Sequence, residues 1–367
     1  MTGASEHGVL WRPSPERVAA SQVTRFAELA AGRAGRSFAD YDELYRWSVA
    51  EPASFWTALW DFCAVRAETR GETALEHPTA MPGARWFPAA RLNFAENLLF
   101  ERSERPALLF RGENGSRRSL SFEALHDRVA RLAASLTLAG VGPGDRVAGF
   151  LPNLPETIIA MLATASRGAV WSSCSPDFGI NGVLDRFGQI RPRVLLTADG
   201  YHYGGKWIDS IAPAARVAEE LASVEHPVLV PYDGDPETAA KAAAELPGAV
   251  PWDRFLGDGA PPLTFARLPF DHPLYVMYSS GTTGVPKCIV HGAGGTLLQH
   301  VKEHLLHGDL KAGDRLFYFT TCGWMMWNWL ASGLAAGATL LLYDGSPFID
   351  RGTVLEEGTV IGEDRDA

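Results

Sequence analysis

Hydrophobic and polar residues alternate along the middle of the chain with two different periods. Short apolar runs predict buried strands at residues 107–110, 146–151, 169–172 and 194–197. Between these runs, apolar residues that recur every three or four positions predict amphipathic helices at residues 122–138, 155–165 and 180–190. Strands that alternate with helices are typical of parallel sheets. The pattern therefore predicts an α/β fold for residues 106–347.

The first part of the chain, residues 1–105, has a different pattern and is rich in aromatic residues. Aromatic and aliphatic residues at helical spacing predict short amphipathic helices whose tryptophans lie in the core. We therefore expect a mostly helical extension in front of the α/β region. The last stretch, residues 348–367, is polar and acidic, and this composition predicts disorder.

One loop of the α/β region carries most of the candidate chemistry, and we call residues 279–287 the phosphate loop. Apolar runs at residues 275–277 and 288–290 predict a buried strand on either side of it. Glycines let backbone N–H groups approach an anion, and hydroxyl groups add further donors. The small residues that supply these groups are Ser279, Ser280, Gly281, Thr282, Thr283 and Gly284. Lys287 adds a positive charge, so the sequence predicts a site for a polyphosphate.

The spacing within the phosphate loop differs from that of a Walker A motif. A Walker A loop ends in Gly-Lys-Ser/Thr and opens a helix, whereas here Pro286 precedes Lys287 and an apolar, strand-like run follows. An ordinary hairpin rich in glycine, serine and threonine would contain the same residue types. The combination of hydroxyl groups, two glycines and one lysine favours a strand–loop–strand phosphate site.

Composition and charge narrow the class of protein. The chain has 367 residues, 46% of them hydrophobic and 21% charged, which is typical of a soluble globular protein. Its net charge of −10 disfavours a nucleic-acid partner bound through a basic surface. We expect no membrane span and no signal peptide, and hence a cytoplasmic protein. The four cysteines, Cys63, Cys174, Cys288 and Cys322, are far apart and are expected to be free thiols. The sequence gives no indication of the oligomeric state.

A second motif suggests a different class of enzyme. Residues His300, Glu303 and His304 fit the H-x-x-E-H pattern of a zinc hydrolase. On a helix at residues 292–307, however, these side chains and His307 fall opposite the apolar stripe. We therefore expect them to face solvent and to bind no metal. Zinc hydrolysis remains the alternative enzyme class.

The segment from Tyr278 to Lys287 resembles the signature loop of the adenylate-forming enzymes. Residues 86–99 are also similar to the leader of the acetyl-CoA synthetase branch of that family. The resemblance implies an incomplete large N-terminal domain of the adenylate-forming fold. It also implies that the phosphate loop binds the β- and γ-phosphates of ATP with Mg²⁺, and that Lys287 is catalytic.

The resemblance extends to two further places in the chain. After Gly323, the residues Trp324, Met325 and Met326 match the positions that line the acyl pocket in this branch. Lys206 matches a basic residue that contacts the phosphates of coenzyme A, although an ordinary surface lysine is the alternative. The implied reaction joins acetoacetate to coenzyme A, through an acyl-adenylate, at the expense of ATP. Acetate or propionate is the alternative acid, and a non-catalytic nucleotide-binding fragment is the alternative from another class.

The resemblance ends near residue 347. The family's adenine-binding and ribose-binding segments and its C-terminal catalytic lysine have no match in the chain. We therefore expect this chain alone to be a truncated, inactive form. We also expect the apolar strand at residues 340–343 to lack a neighbour, and an unpaired edge of this kind favours aggregation.

Overall fold

The computed structural model describes residues 10–259, 261–279 and 284–348. The α-helices in this part of the chain are α1 (Pro15–Ala20), α2 (Gln22–Ala34), α3 (Tyr41–Ala50), α4 (Pro52–Phe62), α5 (Phe94–Leu98), α6 (Phe122–Leu138), α7 (Pro155–Ser166), α8 (Ile180–Ile190), α9 (Ile211–Glu220), α10 (Pro236–Glu245), α11 (Trp252–Leu256), α12 (Ala293–Lys302) and α13 (Met325–Ser332). A π-helical turn (Glu303–His307) continues α12, and a 3₁₀ turn (Gly333–Ala336) continues α13.

The strands follow the same chain order. They are β1 (Ala67–Thr69), β2 (Leu75–Glu76), β3 (Arg85–Trp86), β4 (Arg91–Leu92), β5 (Pro106–Gly112), β6 (Arg117–Ser121), β7 (Arg146–Phe150), β8 (Val170–Cys174), β9 (Val194–Ala198), β10 (Gly200–Tyr203), β11 (Lys206–Asp209), β12 (His226–Val230), β13 (Val250–Pro251), β14 (Leu268–Pro269), β15 (Pro273–Ser279), β16 (Lys287–Gly292), β17 (Arg315–Phe317) and β18 (Thr339–Asp344).

The larger sheet has seven strands in the order β13-β12-β9-β7-β8-β15-β16. All neighbours in it are parallel except β15 and β16, which form an antiparallel hairpin. Helices α6 and α8 begin and end where the apolar periodicity predicts them. The predicted α/β fold with parallel pairing is confirmed.

Helix α7 is the centre of the core. All of its residues are buried, because it packs against α5, α6 and the strands β7 and β8. Its Glu156 is buried with them, and Arg118 Nη1 donates a 2.9 Å hydrogen bond to the Glu156 carboxylate. A buried carboxylate needs such a partner, so the strand β6, which carries Arg118, is tied to α7.

The smaller sheet has the order β17-β18-β5-β6. Strand β18 therefore has a parallel neighbour on each side, and Leu340 and Leu342 are fully buried. The prediction that this strand lacks a neighbour is wrong, because β5 lies beside it from more than 200 positions earlier in the chain.

Strand β16, rather than β18, is an edge strand with exposed apolar residues. This strand is the last in the seven-stranded order, and Ile289 and Val290 are 46% and 57% exposed. The prediction of a buried strand at residues 288–290 is therefore wrong. Apolar residues at an edge and in a sheet centre give the same sequence pattern, and only the strand order separates the two cases.

Val290→Lys is expected to keep the chain monodisperse at higher concentration than the wild-type protein. A charge on an exposed edge strand opposes strand-to-strand pairing between molecules. Light scattering during concentration measures the effect. Leu138→Lys is the matched control, because Leu138 is 90% exposed but lies at the end of α6. If both variants begin to associate at the same protein concentration, the β16 edge is not the surface through which the molecules associate.

The N-terminal region packs closely on the α/β region. Helices α2 to α4 form a cluster in which Phe26 and Trp47 are buried together with Leu306 of the π-helical turn. Strand β4 pairs with β14, far along the chain. The predicted helical character holds as far as Phe62, whereas the region between α4 and α5 contains four short strands. The division into units at residues 105 and 347 stays a prediction.

The four cysteines are free, as predicted. Among the described residues, no helix combines the length and the hydropathy needed to cross a membrane. The predicted polar tail lies, apart from Phe348, outside the described residues.

Candidate functional site

The phosphate loop connects β15 to β16. Ser279 and Lys287 are opposite each other in the antiparallel register, one at each end of the loop. Because β15 runs parallel to β8, the loop leaves the sheet at the edge where the parallel strands end, which is where α/β sheets bind ligands. Gly284 has a φ of 99°, a backbone conformation that favours glycine. The predicted strand–loop–strand arrangement is confirmed, and Ser280, Gly281, Thr282 and Thr283 lie outside the described residues.

Lys287 is exposed at the returning end of the loop. No ion pair of Lys287 is found within the described parts of the chain. The charge of its ammonium group is therefore available to an anion at the loop.

Gln189 of α8 holds the returning end of the loop. Its Nε2 donates a 2.8 Å hydrogen bond to the carbonyl of Pro286, and its Oε1 lies 3.5 Å from Cys288 Sγ. Both contacts flank Lys287 in the sequence. No sequence pattern indicates this role, because a glutamine on an amphipathic helix is an ordinary surface residue.

Two serines of β8 join the loop strand to the segment around Trp324. Ser172 Oγ donates to the Val276 carbonyl at 2.8 Å and lies 3.0 Å from Tyr278 Oη. Ser173 Oγ donates to the Cys322 carbonyl at 2.6 Å. Adjacent residues of a strand point to opposite faces, so one strand contacts both segments. Sequence reasoning missed this link between the phosphate loop and the candidate acyl residues.

The candidate acyl residues lie at the start of α13. Trp324 precedes the helix in an extended conformation and is 64% exposed, and Met325 is 42% exposed. Met325 lines a cleft of about 680 Å³ that runs along α12 and the end of β16. Trp324 and Met326 do not line this cleft. Of the three predicted residues, Met325 is therefore the one that lines this cleft.

Lys206 lies at the turn of an exposed antiparallel hairpin formed by β10 and β11. This hairpin follows β9, three strands away from β15 in the sheet. With a strand spacing of about 4.8 Å, the ends of these two strands are roughly 14 Å apart. The hairpin therefore follows a strand that ends at the same edge of the sheet as β15, the strand that leads into the phosphate loop.

The histidines of the H-x-x-E-H segment correct the sequence prediction. His300 and His304 are only 3% and 1% exposed, whereas His307 is exposed. Helix α12 contacts β16, α4, α5 and α13, so it has no broad solvent face. His304 Nε2 lies 2.9 Å from the Trp329 carbonyl and 3.0 Å from Ser332 Oγ. These contacts assign His304 a structural role.

Burial also determines the charge of these two imidazoles. Desolvation lowers the pKa of His300 to about 3 and that of His304 to about 4, so both are neutral near pH 7. The described residues contain no group of three histidine, cysteine or acidic side chains that could hold a metal ion. A catalytic zinc needs at least three protein ligands, so this part of the chain offers no support for the zinc hydrolase alternative.

Comparison with known protein families shows to which family of enzymes the chain belongs. Residues 96–359 match the family model described as AMP-binding enzyme, and residues 41–98 match the model described as acetyl-coenzyme A synthetase N-terminus. The chain belongs to the AMP-binding enzyme family. This agrees with the adenylate-forming resemblance of the phosphate loop and with the leader segment that precedes the α/β region.

Individual relatives narrow the comparison. The chain is 56% identical to acetoacetyl-coenzyme A synthetase of Rhizobium meliloti over 94% of this chain and 52% of that protein. It is 40% identical to malonamoyl-CoA synthetase of Penicillium aethiopicum over 93% of this chain and 48% of that protein. The solved structure of acetoacetyl-CoA synthetase from Streptomyces lividans superimposes with a TM-score of 0.85 at 45% identity, over 92% of this chain and 51% of that one. The chain thus spans about half the length of these relatives.

Proposed function

We propose that the chain contributes the phosphate-binding part of an AMP-forming acid–thiol ligase. The reaction converts acetoacetate, ATP and coenzyme A to acetoacetyl-CoA, AMP and diphosphate. The observation that carries the proposal is the phosphate loop, held between β15 and β16 at the ligand-binding edge of the sheet. Relatives named acetoacetyl-CoA synthetase support the choice of acid.

In the first step, a carboxylate oxygen of acetoacetate attacks the α-phosphorus of ATP. The bond from that phosphorus to the bridging oxygen breaks, and diphosphate leaves as acetoacetyl-adenylate forms. The hydroxyl and N–H groups of the phosphate loop bind the departing phosphates, and Lys287 stabilises the negative charge that develops on them. Magnesium enters as part of the substrate MgATP, because it keeps phosphate oxygens and water as its preferred ligands.

In the second step, the coenzyme A sulfur attacks the acyl carbonyl carbon. The carbon–oxygen bond to AMP breaks, AMP leaves, and the thiol proton is released. No side chain of the protein has to act as nucleophile in either step, so this chain acts by binding and orienting the reactants. Lys206 binds a phosphate of coenzyme A in this scheme.

The names of the relatives also suggest what the acyl pocket recognises. Acetoacetate and malonamate both carry a carbonyl group on the carbon next to the carboxymethyl group, whereas acetate and propionate do not. Met325 would contact the acyl chain from the wall of its cleft, with Trp324 and Met326 nearby at the start of α13. We therefore propose 3-oxo acids as the substrate class.

Exchange of labelled diphosphate into ATP tests this choice. It is measured on a version of the protein extended to the full length of its relatives, because the chain spans about half of that length. The acids to compare are acetoacetate, malonamate, butyrate, propionate and acetate. We expect acetoacetate to exceed butyrate by at least about tenfold, because a site that hydrogen-bonds a polar group discriminates against an analogue that lacks it. Faster exchange with acetate or propionate would favour the alternative acids. Tight ATP binding without exchange for any acid would favour a nucleotide-binding role without catalysis.

A further inference from the structure

Glu113 is a buried carboxylate with an unusual set of partners. It lies in the turn between β5 and β6, and none of its surface is exposed. Its oxygens accept hydrogen bonds from three backbone N–H groups: Gly204 at 3.1 Å, Gly205 at 2.5 Å and Ser346 at 2.7 Å. Among the described residues, no cationic side chain pairs with it. Three amide donors therefore compensate the desolvation of this charge.

The three donors come from two separate turns that meet at this carboxylate. Gly204 and Gly205 form the turn of the β10–β11 hairpin, both with positive φ, so that successive N–H groups point to one place. Ser346 follows β18, and a side chain at Gly345 would place its Cβ only 2.3 Å from Glu113 Cβ. Glu113 thus connects the hairpin turn to the end of β18.

The hairpin has one further polar contact close to its turn, since Asn114 Nδ2 lies 3.1 Å from His202 Nε2. All residues of β11, beginning with Lys206, are exposed. The rings of His202 and Trp207, which pair one position before the turn residues Tyr203 and Lys206, pack against Tyr232. The turn itself is fixed by Glu113, and Lys206 is the next residue after Gly205. The backbone from which the Lys206 side chain extends is therefore set by this carboxylate.

We propose that Glu113 is a positioning residue that holds Lys206 in place for a phosphate of coenzyme A. The inference rests on the proposed function of Lys206. Since three N–H groups already satisfy the carboxylate, it does not compete for the Lys206 ammonium. A flexible lysine bound to an exposed hairpin would have to be ordered upon binding, and Glu113 removes part of that entropy cost in advance.

A double-mutant cycle with adenosine 3′,5′-bisphosphate, the nucleotide end of coenzyme A, tests the proposal. Isothermal titration calorimetry gives the Kd for the wild-type chain, Lys206→Ala, Glu113→Gln and the double variant. We expect each single variant to bind about tenfold more weakly, and Glu113→Gln to have almost no further effect once Lys206 is removed. Amide hydrogen exchange in the hairpin, residues 200–209, should be faster in Glu113→Gln. Glu123→Gln is the matched control, since Glu123 is partly exposed on α6 and pairs with Arg102.

The outcomes separate the inference from the proposed function. If Lys206→Ala binds the probe as the wild type does, the coenzyme contact fails, and the positioning role fails with it. If Lys206→Ala weakens binding while Glu113→Gln changes neither affinity nor exchange, the coenzyme contact stands and the positioning role is overturned. Equal losses from Glu113→Gln with and without Lys206 would also overturn it, because they indicate a general structural effect. Should Glu113→Gln not fold, Glu113→Asp, which keeps the charge but shortens the reach, takes its place in the same cycle.

Discussion

Lys287→Ala is expected to weaken ATP binding by about ten- to a hundredfold. A charge-assisted contact to phosphate contributes about 1.5–3 kcal/mol, and removal of the ammonium group eliminates it. Lys287 is exposed at the end of the phosphate loop, opposite Ser279 in the hairpin register. Gln189 contacts the Pro286 carbonyl before it and the Cys288 side chain after it, so the loss of the Lys287 side chain should leave the hairpin in place. The Kd for MgATP, measured by calorimetry on the purified chain, is the test.

Lys311→Ala is the control for this measurement. Lys311 is also exposed, but it pairs with Asp309 in a different loop. The Lys311→Ala variant should bind ATP with the same Kd as the wild-type chain. If Lys287→Ala and Lys311→Ala bind ATP equally well, Lys287 is only a surface residue. The proposal that the phosphate loop binds ATP would then lack its main evidence. Diphosphate should compete with ATP for the wild-type chain, because the loop is proposed to hold the two departing phosphates.

Asp344→Asn is expected to stabilise the chain more at pH 8 than at pH 5. Asp344 lies at the end of β18, where the Asn153 N–H lies 3.4 Å from its Oδ1 and the Tyr232 hydroxyl is a neighbour of its carboxyl group. Burial, together with the neighbouring charge of Glu113, raises the pKa of Asp344 from 3.8 to about 7. The folded chain thus retains a proton there up to about pH 7, whereas the unfolded chain releases it near pH 4.

Proton linkage determines whether the raised pKa of Asp344 increases or decreases the free energy of unfolding as the pH rises. Between pH 4 and pH 7 the unfolded chain binds fewer protons at this site, so the free energy of unfolding falls as the pH rises, and the contribution is constant above pH 7. Between pH 5 and pH 8 the change is on the order of 2–3 kcal/mol. Asparagine does not titrate, so the variant lacks this loss. The buried His300 and His304, whose lowered pKa values change stability in the opposite direction, contribute equally to both proteins.

Urea unfolding of the wild-type chain and Asp344→Asn at both pH values measures the difference. Asp185→Asn serves as control, because Asp185 is exposed on α8. Its stability relative to the wild type should not depend on pH. A stability difference between Asp344→Asn and the wild type that is the same at pH 5 and pH 8 would show that Asp344 is ionised in the folded chain at both.

The sequence alone determined the local elements and the class of chemistry. Apolar periodicity gave the bounds of α6 and α8, because a helix that buries one face repeats its apolar residues every three to four positions whatever lies beyond it. The residue types of the phosphate loop indicated an anion site, because glycine conformation and hydroxyl donors act over a few consecutive residues. These features depend on neighbours in the sequence, so they can be read from it.

The tertiary structure alone decided which residues are buried, paired or brought together from distant segments. The apolar residues of β16 are exposed because that strand is last in its sheet, and those of β18 are covered because β5 lies beside it. His304 is buried because the π-helical turn that follows α12 packs against α2 and the 3₁₀ turn, whereas a helix with one solvent face would expose it. Glu113 meets Gly204 and Ser346 across about 90 and more than 200 residues, respectively. Such contacts depend on the order of strands and on the packing of helices, and no local pattern of hydrophobic and polar residues encodes either.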